Sequence, residues 1–543
     1  MNRLHEATDA GSGVEEQSRR HDPLRPGAIE VEARRRSRIA LASMVAIACL
    51  LFAFVYAPFD IGSVALLAVA PVALILLDPA IRCSLPVAAL CGLAFGWIAS
   101  LAIVGPWMYQ AAAEYFGKPA WFAATFTIAI NGIYVAAFYA PLFALVRLLA
   151  RAAAVPAVIG TACLWTAFEY LRATLAGNGW ALLGQGLDEL PVLREAAAVG
   201  GVWLLSLGCA LCGAGIGVAS QRGIAPRQRR LAIDLAVAGP ILLLICGYAS
   251  RPSPAARAIL PLRVAAVQAQ IAGTELWDPA RRVEHFHSHL ELTETLRPGR
   301  VDLVVWPENA IPFLLDADAS ARQRLSALAQ RLEAAIVVGA GRSEAGSDGT
   351  ARFFNSAYLF AADGSAPTTY DKMRLLPYIE TAAVPAADAE AGTDYSAGTA
   401  PVLFEVADWK IAPLICLEAI DPRPVRAAAK AGADLILNIS NDAWFAGGGG
   451  PEQHFAMSAL RAPESRRPMV RVANGGVSGA ITSRGNDIGP RIRRSRGVEI
   501  YEVQPGSVGL TPYHRFGDWV ALLCAVIAAW SCLRAWRSPR PSA

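Results

Sequence analysis

The stretch "IAPLICLEAID", residues 411–421, sets a lone cysteine, Cys416, at the end of an apolar run and a carboxylate, Glu418, two residues later. An apolar run of this length bounded by charged and turn residues reads as a buried strand. Its surroundings repeat the pattern. "PVLFEV" precedes it, and a helical "PRPVRAAAKAG" and a second apolar run, "ADLILNISND", follow. Further out, "PLRVAAVQAQ", "VDLVVWPEN", "AAIVVGAG", "FFNSAYLFAADG", "MVRVANGGVSGAI" and "IYEVQPG" alternate with helical "DPARRVEHFHSHLELTETL", 319–333 and a segment near 451–467. Strands alternating with helices predict an α/β layered domain over residues 262–512. In such folds functional groups often sit where strands end.

The rest of the chain is of another kind. The 543 residues are 54% hydrophobic and 17% charged, too apolar for an ordinary soluble protein. Stretches of roughly 17–25 apolar residues suit a hydrocarbon core ~30 Å thick. Seven such spans are predicted at about 39–59, 62–77, 85–104, 120–146, 153–172, 196–219 and 231–249, and an eighth at 518–536. The expected organisation is an Arg-rich tail (1–38), a seven-helix membrane bundle (39–249), a Pro/Ala-rich linker (250–261), the α/β domain (262–512), a final span (518–536) and a short tail (537–543). The hydrophilic leader before the first span predicts an anchor, not a cleaved signal peptide.

Basic residues set the orientation. "SRRHDPLRP", "EARRRSR", "DPAIRCS", "RLLAR", "SQRGIAPRQRR" and "RAWRSPRPSA" fall on one side, against Lys118, Arg172 and Arg194 on the other. Both termini are therefore expected in the cytoplasm and the α/β domain outside it. The net charge of +4 is accounted for by these arginines, which leaves no basic surface to assign to nucleic acid.

Of ten cysteines, eight fall within predicted spans, Cys83 in a cytoplasmic loop, and only Cys416 in the exported domain. It cannot form an intradomain disulfide, and an unpaired thiol in an oxidising compartment calls for another use. Two further groups sit at or just after strand ends: Glu308 follows "VVWP", and Lys372 lies in "YDKMRLLPYIE". Lys372 is one of four lysines in a chain whose default cation is arginine. A carboxylate can take the proton of a thiol whose pKa is ordinarily ~8.5, and an ammonium can steady the thiolate and then an oxyanion. The residues alone leave two readings open: a thioester-forming acyl-transfer site, or a core cysteine with two unrelated charges.

"WPENAIP", "YDKMRLLPYIE", "CLE", "NISNDAWF", "RPMVRVANGGVSG" and "GLTPYHRFGD" resemble the nitrilase superfamily and, within it, the bacterial apolipoprotein N-acyltransferases. "APFDIGS", "GWIASLAIVGPWMY", "LWTAFEYLR" and "GWALLGQ" are similar to segments of that family's membrane part, so the resemblance spans residues 40 to 536. It implies about eight transmembrane helices, an αββα sandwich and a Glu308–Lys372–Cys416 triad acting without cofactor or metal, in a monomer of the bacterial inner membrane with its catalytic domain periplasmic. It also implies an acyl chain passing from a phospholipid to Cys416 and then to the amine of a diacylated lipoprotein. Trp277, Glu380 and Glu418 match supporting positions by motif. Three departures bear on the acceptor: Leu417 where an aromatic is usual, Ile379 where a glycine is usual, and a short arm at 381–397. The rival readings are a membrane-anchored amidase, an N-acyltransferase with another acceptor, and a non-catalytic lipoprotein-binding scaffold.

Other motifs weigh less. His285 and His289 have helical i,i+4 spacing, but no third ligand completes a metal site. Ser478 lacks the last glycine of a G-x-S-x-G elbow. "AGGGG" at 446–450 lacks the Lys of a phosphate loop and reads as a flexible turn. Glu169 and Arg172, near the outer end of the fifth span, are expected to form an i,i+3 pair or to meet a headgroup.

Overall fold

The computed structural model describes residues 26–177, 179–251, 259–345, 351–376, 380, 395–445, 447–507 and 509–538. Ile379, residues 381–394 of the arm, 252–258 of the linker and the outermost parts of both tails lie outside the described residues.

Seven described helices are long and apolar enough to cross a membrane: Glu30–Val55, Leu85–Ile103, Ala120–Leu149, Ala154–Leu175, Ala197–Ala219, Pro226–Ala249 and Trp519–Arg537. The expected span at 62–77 is not a continuous helix. It is a 3-10 segment, Gly62–Leu66, followed by a short helix, Ala70–Leu76, with Pro71 in its first turn. Proline has no N–H to continue a helix running into it, so the segment breaks there. Its path still runs the length of the bundle. Gly62 lies against the Gly186 carbonyl at the domain end. At the other end, Arg147 donates to the carbonyls of Leu76, Asp78 and Ile81, and the Arg82 amide donates to Ser37. The first helix also starts earlier than the hydropathy predicts. It covers Pro26–Val55, with Arg34 and Arg36 paired one turn back to Glu30 and Glu32.

Thirteen described strands form two sheets. The first contains β1 (Leu262–Gln268), β2 (Leu303–Val305), β3 (Ile311–Leu314), β4 (Ala335–Ala345), β5 (Ala351–Phe360), β6 (Thr368–Asp371) and β13 (Gly497–Val503), in the order β13-β1-β2-β4-β5-β6 with β3 on β4. The second contains β7 (Phe404–Val406), β8 (Trp409–Ile415), β9 (Leu435–Asn441), β10 (Met469–Asn474), β11 (Val477–Ile481) and β12 (Asp487–Arg493), in the order β12-β11-β10-β9-β8-β7. Period-2 alternation makes the layers. Leu262, Val264 and Ala266 of β1 join Ile411 and Ile415 of β8 and Leu435, Leu437 and Ile439 of β9 in one core between the sheets. Ala265 and Val267 point the other way, into a core covered by helices Arg282–Glu294 and Ala319–Leu332. The far face of the second sheet packs under Pro422–Lys430 and Gly450–Ala459. The domain is therefore an αββα sandwich.

Sandwich and bundle are tied through buried polar groups. The Gln453 amide donates to the carbonyls of Ala57 (2.7 Å) and Ile103 (3.1 Å) and accepts from the indoles of Trp180 (2.7 Å) and Trp107 (3.3 Å). The glycine run expected to be a loose turn is part of this junction: Gly449 has φ +81°, and a β-carbon there would lie 2.9 Å from the Ala57 carbonyl oxygen. Only glycine fits that combination. Glu169 and Arg172 stiffen the bundle side. Glu169 accepts from Trp165, Ser206 and the Leu183 amide, while Arg172 donates to the Trp180 and Ala181 carbonyls.

Candidate active site

Cys416 follows β8 directly and opens a 3-10 turn, Cys416–Ile420. Its φ of +54° is unusual for a residue with a side chain, and such backbone persists only where the surroundings hold it. Two residues do so here. The Asn438 side chain of β9 donates to the Cys416 carbonyl (3.2 Å), and Glu418 accepts the amide of Ile415 (2.8 Å). Glu418 is fully buried and also accepts from the Tyr370 hydroxyl (2.9 Å) and the amides of Met373 (2.8 Å) and Arg374 (3.0 Å). Since 370–374 carries Lys372, Glu418 clamps the lysine loop to the cysteine turn.

Lys372 is 1% exposed, with Nζ 2.8 Å from Glu380 Oε1 and 3.4 Å from Glu308 Oε1. The Asn355 side chain of β5 bridges the same two oxygens, at 3.0 Å and 2.7 Å respectively. Glu308 Oε2 accepts the Asn441 amide (2.7 Å), and Glu380 Oε2 the Leu376 amide (2.7 Å). The Glu308 loop lies so close to β4 that a β-carbon on Gly339 would stand 2.6 Å from the Glu308 Cα.

Electrostatics bring the cysteine into this group. Burial pushes the Cys416 thiol well up, and the Glu308 carboxylate adds to that more than the Lys372 ammonium relieves it. Burial also raises Glu308 above the usual carboxylate range, with Lys372 opposing and Glu380 reinforcing. Burial works against a charged Lys372, yet Glu308, then Glu380 and Cys416, outweigh it and hold the ammonium well above its ordinary value. A buried thiol beside a carboxylate of raised proton affinity and a fixed cation can give up its proton on attack, and the cation can balance an oxyanion.

The other expected residues fall at different distances from this centre. Glu380 and Glu418 are built into it. Trp277 is half-exposed at the rim and donates its indole N–H to the hydroxyl of Tyr115 (2.8 Å), a residue of the membrane part. Leu417 packs against the core between the sheets. Three contributors escape a reading of the sequence: Asn355, the Asn441 amide and Tyr115. Asn355 and Asn441 are polar residues inside strands, a pattern that hints at buried partners but does not name them. Beneath the site, buried Arg471 donates to Asp442 (2.7 and 2.9 Å) and to Asn438, linking the loop after β9 to the Asn438 that holds Cys416.

The remaining motifs are structural. Ser478 donates to Gln268 (2.6 Å) and accepts the Ala473 amide. His289 stacks on Trp306, and among the described residues no group of three His, Cys, Asp or Glu could hold a metal ion.

Residues 263–513 match the carbon-nitrogen hydrolase family, so the sandwich is a domain of that class, here joined to a membrane bundle. Residues 48–215 match the apolipoprotein N-acyltransferase N-terminal domain. The chain is 34% identical over 499 residues to the apolipoprotein N-acyltransferase of Azotobacter vinelandii (88% of this chain, 92% of that one). It is 32% identical over 430 residues to the Geobacter metallireducens enzyme of that name (76% and 81%). A carbon-nitrogen hydrolase superfamily protein from Xanthomonas campestris is similar at 23% identity and a TM-score of 0.35, over 49% of this chain and 97% of that one. The chain belongs to the apolipoprotein N-acyltransferase family.

Proposed function

We propose that this protein moves a fatty acyl chain from a membrane phospholipid to the N-terminal amine of diacylated lipoproteins through a thioester on Cys416. Glu308 takes the thiol proton as sulfur attacks the ester carbonyl. Lys372 balances the oxyanion, and the lysophospholipid leaves with the proton. The acceptor amine then attacks the thioester, Glu308 accepts its proton, and the amide forms as the thiolate departs and is reprotonated. Glu380 keeps Lys372 charged, while Glu418 and Asn438 fix the backbone around the nucleophile.

The observation that carries this reading is the buried Glu308–Lys372 cluster acting on Cys416 at the junction with the bundle, where Tyr115 reaches Trp277. Two lipid substrates can then meet the site by lateral diffusion, which favours proximity. The arginines of the described helices and loops at the far end, among them Arg34, Arg82, Arg147, Arg229 and Arg537, support an inner-membrane orientation with that end cytoplasmic and the domain periplasmic.

Mass spectrometry of the full-length protein in phospholipid micelles tests the chemistry. An acyl adduct on Cys416, absent in Cys416→Ala and discharged by diacylated lipopeptide, is expected. Discharge by water at the same rate would make it a hydrolase, the rival that the short 381–397 arm favours, and no adduct at all would make it a scaffold.

A further inference from the structure

A cleft of about 820 Å³ opens beside the site, within the ~300–1,000 Å³ range of pockets that enclose a ligand. Asn309, next to Glu308, lines its inner end together with Trp277 and Tyr395. From there it runs between helix Arg282–Glu294, β3 and the start of helix Ala319–Leu332. Its lining comes from the sandwich alone; among the described residues no membrane helix contributes. Trp277 marks the point where it meets the bundle, through its bond to Tyr115.

Its walls are mixed in character. Phe286 and Phe313 supply apolar surface, while Arg282 and Arg324 bring positive charge against a single carboxylate, Asp318. That carboxylate is already engaged as the cap on the Ala321 amide. Neither Arg282 nor Arg324 forms an ion pair with a described residue, and Arg282 Nε is buried without a hydrogen-bond partner. Two guanidinium groups lining one cleft without an ionic partner among the described residues suit a ligand that carries carboxylates.

We propose that this cleft receives the polypeptide of the acceptor, the residues that follow its acylated cysteine, with a preference for segments bearing carboxylates. This rests on the acyl-transfer reading and assigns the part of the substrate that reading leaves unplaced. An acyl chain is a poor occupant, because the cleft is walled by the water-side domain and would bury guanidinium groups against hydrocarbon. A peptide held there presents its N-terminal amine past Trp277 and Asn309 toward the thioester, while its lipid anchor stays beside the bundle.

The test uses the full-length protein and four diacylated lipopeptides with the same lipid: a dipeptide, and decapeptides that are neutral, acidic or basic. Acyl-enzyme formation from phospholipid is measured first, then discharge by each acceptor. For the native chain the acidic decapeptide should show the lowest KM. In the double variant Arg282→Glu, Arg324→Glu its KM should rise roughly fivefold or more, since two attractive contacts become repulsive. Dipeptide discharge and acyl-enzyme formation should be unchanged, which also shows that the variant folds. Equal loss with dipeptide and decapeptides, or no loss, overturns the proposal. Slowed acyl-enzyme formation overturns it in favour of a donor site. A native protein that never forms the adduct sinks the acyl-transfer reading itself, an outcome distinct from an intact adduct indifferent to the peptide.

Discussion

Replacing Glu380 by glutamine should shift the pH dependence of acyl-enzyme formation in a direction fixed by the geometry. Glu308 Oε1 and Glu380 Oε1 accept from the same Asn355 nitrogen at 2.7 and 3.0 Å, so they stand at most 5.7 Å apart, the sum of the two bonds. At an effective dielectric constant of ~20, two like charges at that separation repel by about 3 kcal/mol. Burial already raises the proton affinity of Glu308, Lys372 opposes it, and Glu380 adds to it. Removing the Glu380 charge therefore lowers it. The working form of Glu308 is the carboxylate, so activity is lost as pH falls through its titration. In Glu380→Gln that acid limb should move to lower pH, by roughly one to two pH units. The base also weakens, so the plateau rate should fall. The glutamine oxygen can face either the Leu376 amide or the Lys372–Asn355 pair but not both, which costs about 1–3 kcal/mol of stability. Stopped-time mass spectrometry of Cys416 acylation between pH 4 and 9 reads the limb directly. An acid limb that stays in place, or moves to higher pH, would refute the coupling of Glu380 to Glu308.

Three other outcomes follow from the same geometry. Lys372→Met should slow acyl-enzyme formation by ~10²–10³, the usual loss for one oxyanion donor, and Lys372→Arg should not restore it because a planar guanidinium cannot occupy the position of an ammonium 2.8 and 3.4 Å from two carboxylates; single-turnover labelling with a fluorescent phospholipid decides. Arg471→Met takes the guanidinium from buried Asp442 and leaves it with the Ser440 hydroxyl and the His454 ring, and should destabilise the domain by about 3 kcal/mol, seen as a lowered thermal transition in detergent; an unchanged transition would contradict it. Gly449→Ala forces a side chain into the left-handed region against Ala57, costing about 1–3 kcal/mol, and should expose the 446–450 loop to proteolysis without changing the helical content of the bundle.

Sequence reading reached the strand ends because each is a local pattern: an apolar run, then a functional group. Glu308, Cys416 and, one residue beyond β6, Lys372 all occupy such positions. The same method took 62–77 for one helix, because hydropathy averages composition and does not register where Pro71 restarts the backbone. It also took 446–450 for a loose turn, because the partner that makes those glycines necessary, Ala57, lies nearly four hundred residues away. Glu169 and Arg172 are expected to pair along one helix or to meet a headgroup, and the folded chain adds contacts that the spacing does not name: Glu169 accepts from Trp165, Leu183 and Ser206, and Arg172 donates to the carbonyls of Trp180 and Ala181.

Hydropathy, the asymmetry of arginines and the order of three reactive residues follow from the chain alone, since each depends on neighbours within a turn or a strand. Tertiary structure alone decided that Asn355 joins two carboxylates, that the Asn441 amide holds Glu308, that Asn438 and Glu418 brace Cys416 at φ +54°, and that a membrane-part tyrosine closes the rim. Those contacts join residues up to some 160 positions apart, and a hydrogen bond across that span leaves no periodicity for a one-dimensional pattern to carry.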